Sequence, residues 1–436
     1  MIVSQAAIRE AMPPQGLFAE KDWLLSPEAF PLSPALAREL AGLGHRLRVF
    51  LHGADALYYR SVKGRVPAWI ASVVDAGKPT ALLELARATA LRGQIPRVLR
   101  PDLLLLDDDG LALSELDSVP GGIGLTAWLY RVYAPAFPDL IGGAPGMVDG
   151  FASIFPASHG VDIVVSREAA GYQPEMTWLA AQLGSDRFAV RDAESYAPNP
   201  ARAVYRFFEL FDLPNLPAIA PLLEAVTAGR ITMTSPPKPW LEEKAWLAHF
   251  WLRPLHDLWR RELSENQQRR LEKIIPYSWL LDPAPLPPHA VLPRLDAHSW
   301  EDVAGFSQKN RALVLKRSGF HEEAWGARSV VIGHDSPQPA WAAALHRAQD
   351  DFASSPWILQ EFKRARVVEH PYYDPATGDV RTMRGRVRLC PYYFIAAHDE
   401  TITLGGVLAT IVPEDKKIIH GMKDAILVPC RSGGYR

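Results

Sequence analysis

Arg100-Pro-Asp-Leu-Leu-Leu-Leu-Asp-Asp-Asp-Gly-Leu-Ala-Leu-Ser-Glu-Leu-Asp117 gathers an arginine, six acidic residues and seven leucines in one short segment. Two apolar-rich runs flank Asp107-Asp108-Asp109-Gly110, a strong turn signal, so the stretch reads as a β-hairpin. With Leu106 opposite Leu111, Leu104 faces Leu113, Asp102 faces Glu115 and Arg100 faces Asp117. Side chains alternate along a strand, so these residues share one face. Asp102, Glu115 and Asp117 then cluster beside Arg100. Like charges placed opposite each other destabilise a sheet, and a hard divalent cation with oxygen ligands would offset them. Magnesium usually brings phosphates with it, which points to nucleotide chemistry. The bland alternative is an exposed hairpin whose charges are simply solvated.

The chain has 436 residues, enough for two to four domains. The formal net charge of −2 offers no basic excess for nucleic acid. Cys390 and Cys430 cannot form a disulfide framework and have no zinc-type spacing, which favours a reducing cytoplasm. The first residues lack a basic segment followed by an apolar core, and no apolar run is long enough to span a bilayer. A cytoplasmic protein with no membrane or nucleic-acid partner is expected.

Residues 1–99 read mostly as helices, one of them opened by Ser33 as N-cap and Pro34. Val161–Ser166, the helix from Pro174 to Gly184 and Phe188–Arg191 read as a small α/β unit. Residues 202–282 read as largely helical, and the proline cluster 283–293 as a linker. Ala312–Lys316, Ala327–Ile332 and Trp357–Phe362 read as strands, with a helix at 340–352 and a hairpin from 384 to 412.

Several motifs admit a functional reading beside a bland one. Gly121, Gly122 and Gly124 follow the hairpin and would let backbone N–H groups approach phosphate; otherwise they form a plain turn. Gly122-x-Gly124-x-x-Ala127 also fits a relaxed dinucleotide fingerprint, although the preceding strand carries Glu115 and Asp117 instead of a buried apolar end. Lys316 ends an apolar strand and enters a loop with Ser318 and Gly319 that could close over a triphosphate. Gln360 and Glu361, on a strand edge, could hold adenosine. Arg384, Arg386 and Arg388 alternate and share a strand face suited to phosphate or carboxylate, or to solvent. His321-Glu322-Glu323 lacks the second histidine of a zinc-protease helix, and no Gly-x-Ser-x-Gly elbow or Walker lysine loop occurs.

These residues together resemble the ATP-grasp family. Arg100-x-Asp102, the Gly110 turn and Glu115-x-Asp117-x-x-Pro120-Gly121 resemble its magnesium-binding hairpin, with Asp117 where the family usually has asparagine. Val314-Leu-Lys316-x-Ser-Gly resembles its strand lysine and flexible loop, and Ile358-Leu-Gln-Glu361 its adenine hinge. The order is reversed and is similar to the circularly permuted group, which includes relatives of glutathionylspermidine synthase and other carboxylate–amine ligases.

The resemblance implies an α/β (α+β) fold with an ATP-grasp core in permuted order. The expected domains are 1–140 (helices and the magnesium-binding part), 141–215 (small α/β), 216–285 (helical insert) and 286–436 (nucleotide-binding part). It implies ATP and Mg2+ as cofactors, and a small-molecule or peptide carboxylate and amine joined through an acyl-phosphate. Asp102, Glu115 and Asp117 would hold the metal, and Arg100, Arg386 and Arg388 would act on the transferring group. Lys316, Ser318, Gly319, Gln360, Glu361 and Gly121 would contact the nucleotide. Arg294 and Lys309 are candidates for a further phosphate contact, and Tyr172 and Glu175 for the substrate pocket. The rivals are a non-catalytic nucleotide- or partner-binding protein and an NAD-dependent oxidoreductase built on Gly122–Ala127. Oligomerisation is left open.

Overall fold

The computed structural model describes residues 2–13, 23–324, 328–419 and 424–433. The chain divides into two compact units. The first comprises Met1–Arg48, Leu85–Pro237 and Arg364–Arg436, the second Val49–Glu84 and Lys238–Lys363. Each unit is assembled from separated segments of the chain.

The first unit is built on a seven-stranded sheet. Its order runs Phe30–Leu32, Ile426–Ser432, Ile402–Pro413, Val380–Ile395, Val98–Leu105, Leu111–Asp117, with Val367–Tyr373 also paired to Val380–Ile395. The long strand Val380–Ile395 is buried on both faces from Leu389 onward, which is why that half reads as a continuous apolar run. Its first residues, Val380 to Thr382, are exposed. The acidic hairpin occupies the edge of the sheet, and Leu111–Asp117 is the outermost strand. The helix Ile123–Tyr133 follows directly, buried over most of its length.

A second, parallel sheet in this unit has the order Phe188–Asp192, Gly160–Val165, Arg202–Phe207, Met233–Thr234. The chain runs outward from Gly160–Val165 to one side and then to the other, so the order reverses there. In open parallel sheets, crevices for ligands form at the carboxyl ends of strands at such a reversal. Ser166 to Tyr172 and the helix Gln173–Leu183 leave from that end. The sheet extends past the expected boundary at 215, and Arg202–Phe207 is a strand where helix was expected. The charges in that run disguised it: Arg202 bonds Asp162 at 2.7 Å, and Arg206 donates to the carbonyls of Phe208 and Ser235 at 2.9 and 3.2 Å.

The second unit carries a four-stranded antiparallel sheet, ordered Val331–Ile332, Leu313–Arg317, Trp357–Glu361, Ser278–Leu280. Leu313, Leu315, Trp357 and Leu359 face a core completed by Trp341 and Leu345 of the helix Gln338–Asp350. Trp325, Gly326 and Ala327, part of the expected loop and strand start, lie outside the described residues. The unit also buries two ion pairs, Asp55 with Lys238 at 3.0 Å and Lys78 with Glu243 at 2.5 Å.

Candidate active site

The hairpin pairs Arg100 with Asp117 and Asp102 with Glu115, as expected, but reaches that register by another route. Leu105 pairs Leu111, Leu104 pairs Ala112 and Leu103 pairs Leu113, one step from the expected partners, and the register shifts at Asp102/Leu103. The extra residue is Ser114, whose hydroxyl donates to the Asp102 carbonyl at 3.1 Å. A bulge adds one residue to one strand and re-aims the side chains beyond it. Here it restores Glu115 and Asp117 to the face of Arg100 and Asp102.

On that face Arg100 is the hub. Its Nη2 meets Asp117 Oδ2 at 3.0 Å, its Nε lies 3.2 Å from Asp102 Oδ1, and its Nη1 donates to the Gly121 carbonyl at 3.1 Å. Arg388 Nη1 donates to Asp102 Oδ2 at 2.7 Å. Cys390 Sγ sits 3.4 Å from Asp102 Oδ1, and Tyr392 donates its hydroxyl to the Gly121 carbonyl at 2.9 Å. Burial alone would lower the Arg100 pKa, but the carboxylates of Asp102 and Asp117 drive it well above the usual value. Burial pushes the Asp117 carboxyl up; Arg100 opposes this and Glu115 adds to it. Burial also pushes the Cys390 thiol up to about 12, so it is no nucleophile.

The predicted residues separate accordingly. Arg388 joins the cluster. Arg386 does not: it donates to the carbonyls of Glu414 and Ala365 at 2.9 and 2.6 Å and is consumed in holding backbone. Arg384 pairs with Glu414 on the surface. Both oxygens of Asp102 and both of Asp117 already face donors of the chain: Arg100, Arg388 and Cys390 for the first, Arg100 and the Val119 amide for the second. Among the described residues, no group of three or more His, Cys, Asp or Glu is arranged to hold a metal ion. Magnesium, however, is commonly bound by one or two carboxylates together with phosphate oxygens and water. Glu115, with Asp117 beside it on the same strand face, suits that mode, and its charge adds to the cost of ionising Asp117.

Gly121 is not an open phosphate cradle. Its carbonyl is taken by Arg100 and Tyr392, and a Cβ there would lie 2.3 Å from the Tyr172 ring. The next N–H groups belong to a carboxylate of the protein itself. Glu175 Oε1 accepts from the Gly122 amide at 2.6 Å and Oε2 from the Leu125 amide at 3.0 Å. The dinucleotide reading loses its site for the same reason. Its preceding strand is also the edge of an antiparallel ladder, not the first strand of a parallel βαβ unit.

In the second unit, Lys316 and Gln360 share a sheet face. Lys316 Nζ donates to Gln360 Oε1 at 2.9 Å, and Gln360 Nε2 donates to Ser278 Oγ at 3.0 Å. Glu361 alternates to the other face, where Arg294 and Lys363 hold it at 3.2 and 2.8 Å. Arg294 thus belongs with Glu361 and lies over the Tyr277 and Trp251 rings. Lys309 sits in a single 3-10 turn, Gln308–Asn310, with no described contact to Lys316. Ser318 is structural: its hydroxyl bonds Glu243 and accepts from the Ala245 amide. Gly319 permits close approach, since a Cβ there would lie 2.9 Å from the Glu242 carbonyl. A lysine that the sequence reading passed over reaches the same loop. Lys244 Nζ donates to the Ala324 carbonyl at 3.0 Å.

No protein-family model matches the chain, and no curated protein matches it in sequence. Solved structures do match its fold. A glutathione synthetase-like effector from Globodera pallida, in apo form, aligns with TM-score 0.56 and 12% identity over 98% of this chain and 96% of that one. The fold is glutathione synthetase-like. A proposed gamma-glutamylcysteine synthetase from Methylobacillus flagellatus aligns at TM-score 0.39 and 12% identity, over 88% of this chain and 85% of that one, too distant to bear on the fold. No helix among the described residues is long and apolar enough to cross a membrane.

Proposed function

We infer that the chain is an ATP- and magnesium-dependent carboxylate–amine ligase with an ATP-grasp core in circularly permuted order. The observation that carries this is the bulged hairpin, which sets Arg100 between Asp102 and Asp117 with Glu115 on the same face. The order of parts along the chain, hairpin before lysine strand, supports the permutation, and the glutathione synthetase-like fold supports the ligase class.

In this reading a substrate carboxylate oxygen attacks the γ-phosphorus of ATP and ADP leaves. The amine then attacks the acyl carbon and inorganic phosphate leaves. Such catalysis is mostly positioning and charge neutralisation. Arg100, held on two carboxylates, presents a fixed guanidinium to the acyl-phosphate, and Arg388 fixes Asp102 behind it. Glu115 and Asp117 would hold magnesium, which supplies neutralisation of phosphate charge. Lys316, steered by Gln360, and Lys244 supply cations for phosphate oxygens. The substrates are small-molecule or peptide carboxylates and amines.

One observation favours product-free binding instead: Glu175 already fills the amide cradle at the start of the Ile123–Tyr133 helix. Incubation with ATP, Mg2+ and pools of carboxylates and amines separates the two readings. The ligase releases ADP with an amide product, and Glu115→Ala lowers that release by roughly 100-fold while the fold is kept. Full activity in Glu115→Ala, or ATP binding without product across broad pools, rejects the ligase assignment.

A further inference from the structure

Glu175 is 2% exposed and belongs to neither the hairpin nor the nucleotide strand. It lies on the first turn of the Gln173–Leu183 helix, at the carboxyl end of the parallel sheet, and reaches across to another helix. There its two oxygens accept from Gly122 and Leu125, amide donors that the helix Ile123–Tyr133 cannot satisfy internally. The helix dipole adds to the attraction. The approach is close enough that a Cβ on Gly124 would lie 2.2 Å from the Glu175 carbonyl oxygen. Gly122 takes φ +84, a conformation that turns the chain sharply between the Gly121 carbonyl and the helix.

The Gly121 carbonyl is the acceptor shared by Arg100 and Tyr392. The Tyr205 hydroxyl, on a residue 1% exposed, has no hydrogen-bond partner among the described residues, and its charged neighbours include Asp117 and Glu175.

We propose that Glu175 is the positioning residue of the hairpin site: its carboxylate fixes the Gly121–Gly122 turn and, through the Gly121 carbonyl, sets where the Arg100 guanidinium and the Tyr392 hydroxyl stand. Glu175 is in effect a built-in carboxylate ligand, so a small free carboxylate takes its place when the side chain is removed. The structural half of this inference stands without the ligase reading; only its kinetic half rests on it.

Glu175→Ala and Glu175→Gln are melted in sodium acetate and in sodium chloride of equal ionic strength. Glu175→Ala melts about 5 °C or more below the wild type, and acetate restores at least half of the loss, saturably, without changing the wild type. Crystals of Glu175→Ala grown without acetate show the Arg100–Gly121 bond broken, and crystals with acetate show it remade. In the ligase assay the KM for the carboxylate rises at least tenfold while the KM for ATP stays within twofold, and Glu175→Gln, which keeps one acceptor oxygen, falls between. A variant that melts like the wild type, or acetate protecting both proteins equally, overturns the proposal, as does a parallel rise in both KM values. If Glu175→Ala does not fold, Glu175→Gln carries the same comparisons. A wild type that forms no amide from any pool removes the ligase reading, and the melting and crystallographic arms then decide Glu175 alone.

Discussion

Asp102→Asn is the sharpest perturbation of the hairpin site. Asp102 is 4% exposed and stands between two guanidinium groups, at 2.7 Å from Arg388 Nη1 and 3.2 Å from Arg100 Nε. Both arginine side chains are only 17% exposed, so water has little access to replace the lost charge. Asparagine keeps the shape and one acceptor oxygen, but turns an NH2 toward a donor and leaves two cations facing each other. Removing one partner of a buried ion pair costs roughly 3–5 kcal/mol. Arg100 keeps Asp117 at 3.0 Å, which places the expected loss near the bottom of that range, about 3 kcal/mol.

Arg388→Met leaves Asp102 with Arg100 as its facing guanidinium and is expected to cost about 2 kcal/mol. The double variant strands no charge at this position, so it costs less than the sum by about 2 kcal/mol. The loss is read locally, by hydrogen exchange at the amides of 98–117. Raising the salt concentration leaves the coupling nearly unchanged, since screening acts weakly on buried pairs. A loss below about 1 kcal/mol in Asp102→Asn, or strict additivity in the double variant, refutes the claim that the arginines neutralise this carboxylate.

Two further outcomes follow from the same geometry. Lys316→Met removes the ammonium that Gln360 holds, and the protection that ATP gives against thermal unfolding is expected to fall at least tenfold in apparent affinity; unchanged protection excludes Lys316 from the nucleotide site. His249 and His370 are buried, and burial lowers each pKa from 6.5 to about 4. Between those values the unfolded chain binds more protons than the folded one, so stability is lost as pH falls from 6.5 toward 4. At pH 5 the loss is about 2 kcal/mol per histidine. Urea unfolding at pH 7 and pH 5 measures it, and His249→Phe is expected to remove the share belonging to the second unit. A pH-independent midpoint across that range contradicts the buried neutral histidines.

The hairpin was legible because its information is local: a turn signal, alternation and charge lie within 18 residues of chain from Arg100 to Asp117. Even so, the leucines near the turn pair one step off, since nothing in the sequence distinguishes Ser114 as a bulge from Ser114 as an ordinary strand residue. Arg388 was legible by the same alternation, and continuing it by two and four residues reaches Cys390 and Tyr392, which the site also uses. Alternation likewise forbids Gln360 and Glu361 from sharing a face, and the structure divides them accordingly. The Glu175 clamp was not legible. It joins a side chain to amides 50 and 53 residues away, through packing of two helices that leaves no periodic trace. The strand Arg202–Phe207 was hidden for a related reason: its arginines look solvated in the sequence, whereas the fold satisfies them internally.

If the hairpin holds a metal, its charge count constrains how that metal arrives. Arg100 and Arg388 carry two positive charges against the three carboxylates of Asp102, Glu115 and Asp117, which leaves one negative charge in excess over these five groups. A single excess negative charge at a half-buried position is weak attraction for magnesium, which dehydrates reluctantly and completes its shell with phosphate oxygens and water. Magnesium is therefore expected to enter with the nucleotide and not before it. Mg2+ alone at about 1 mM leaves the melting temperature within 1 °C of the metal-free value, while Mg2+ with ATP raises it by several degrees, and Glu115→Ala abolishes that rise. If sub-millimolar Mg2+ without nucleotide stabilises the wild type, and Glu115→Ala or Asp117→Asn removes the effect, then the carboxylates are not neutralised by the arginines as the distances indicate. The hairpin would then be a metal site in its own right.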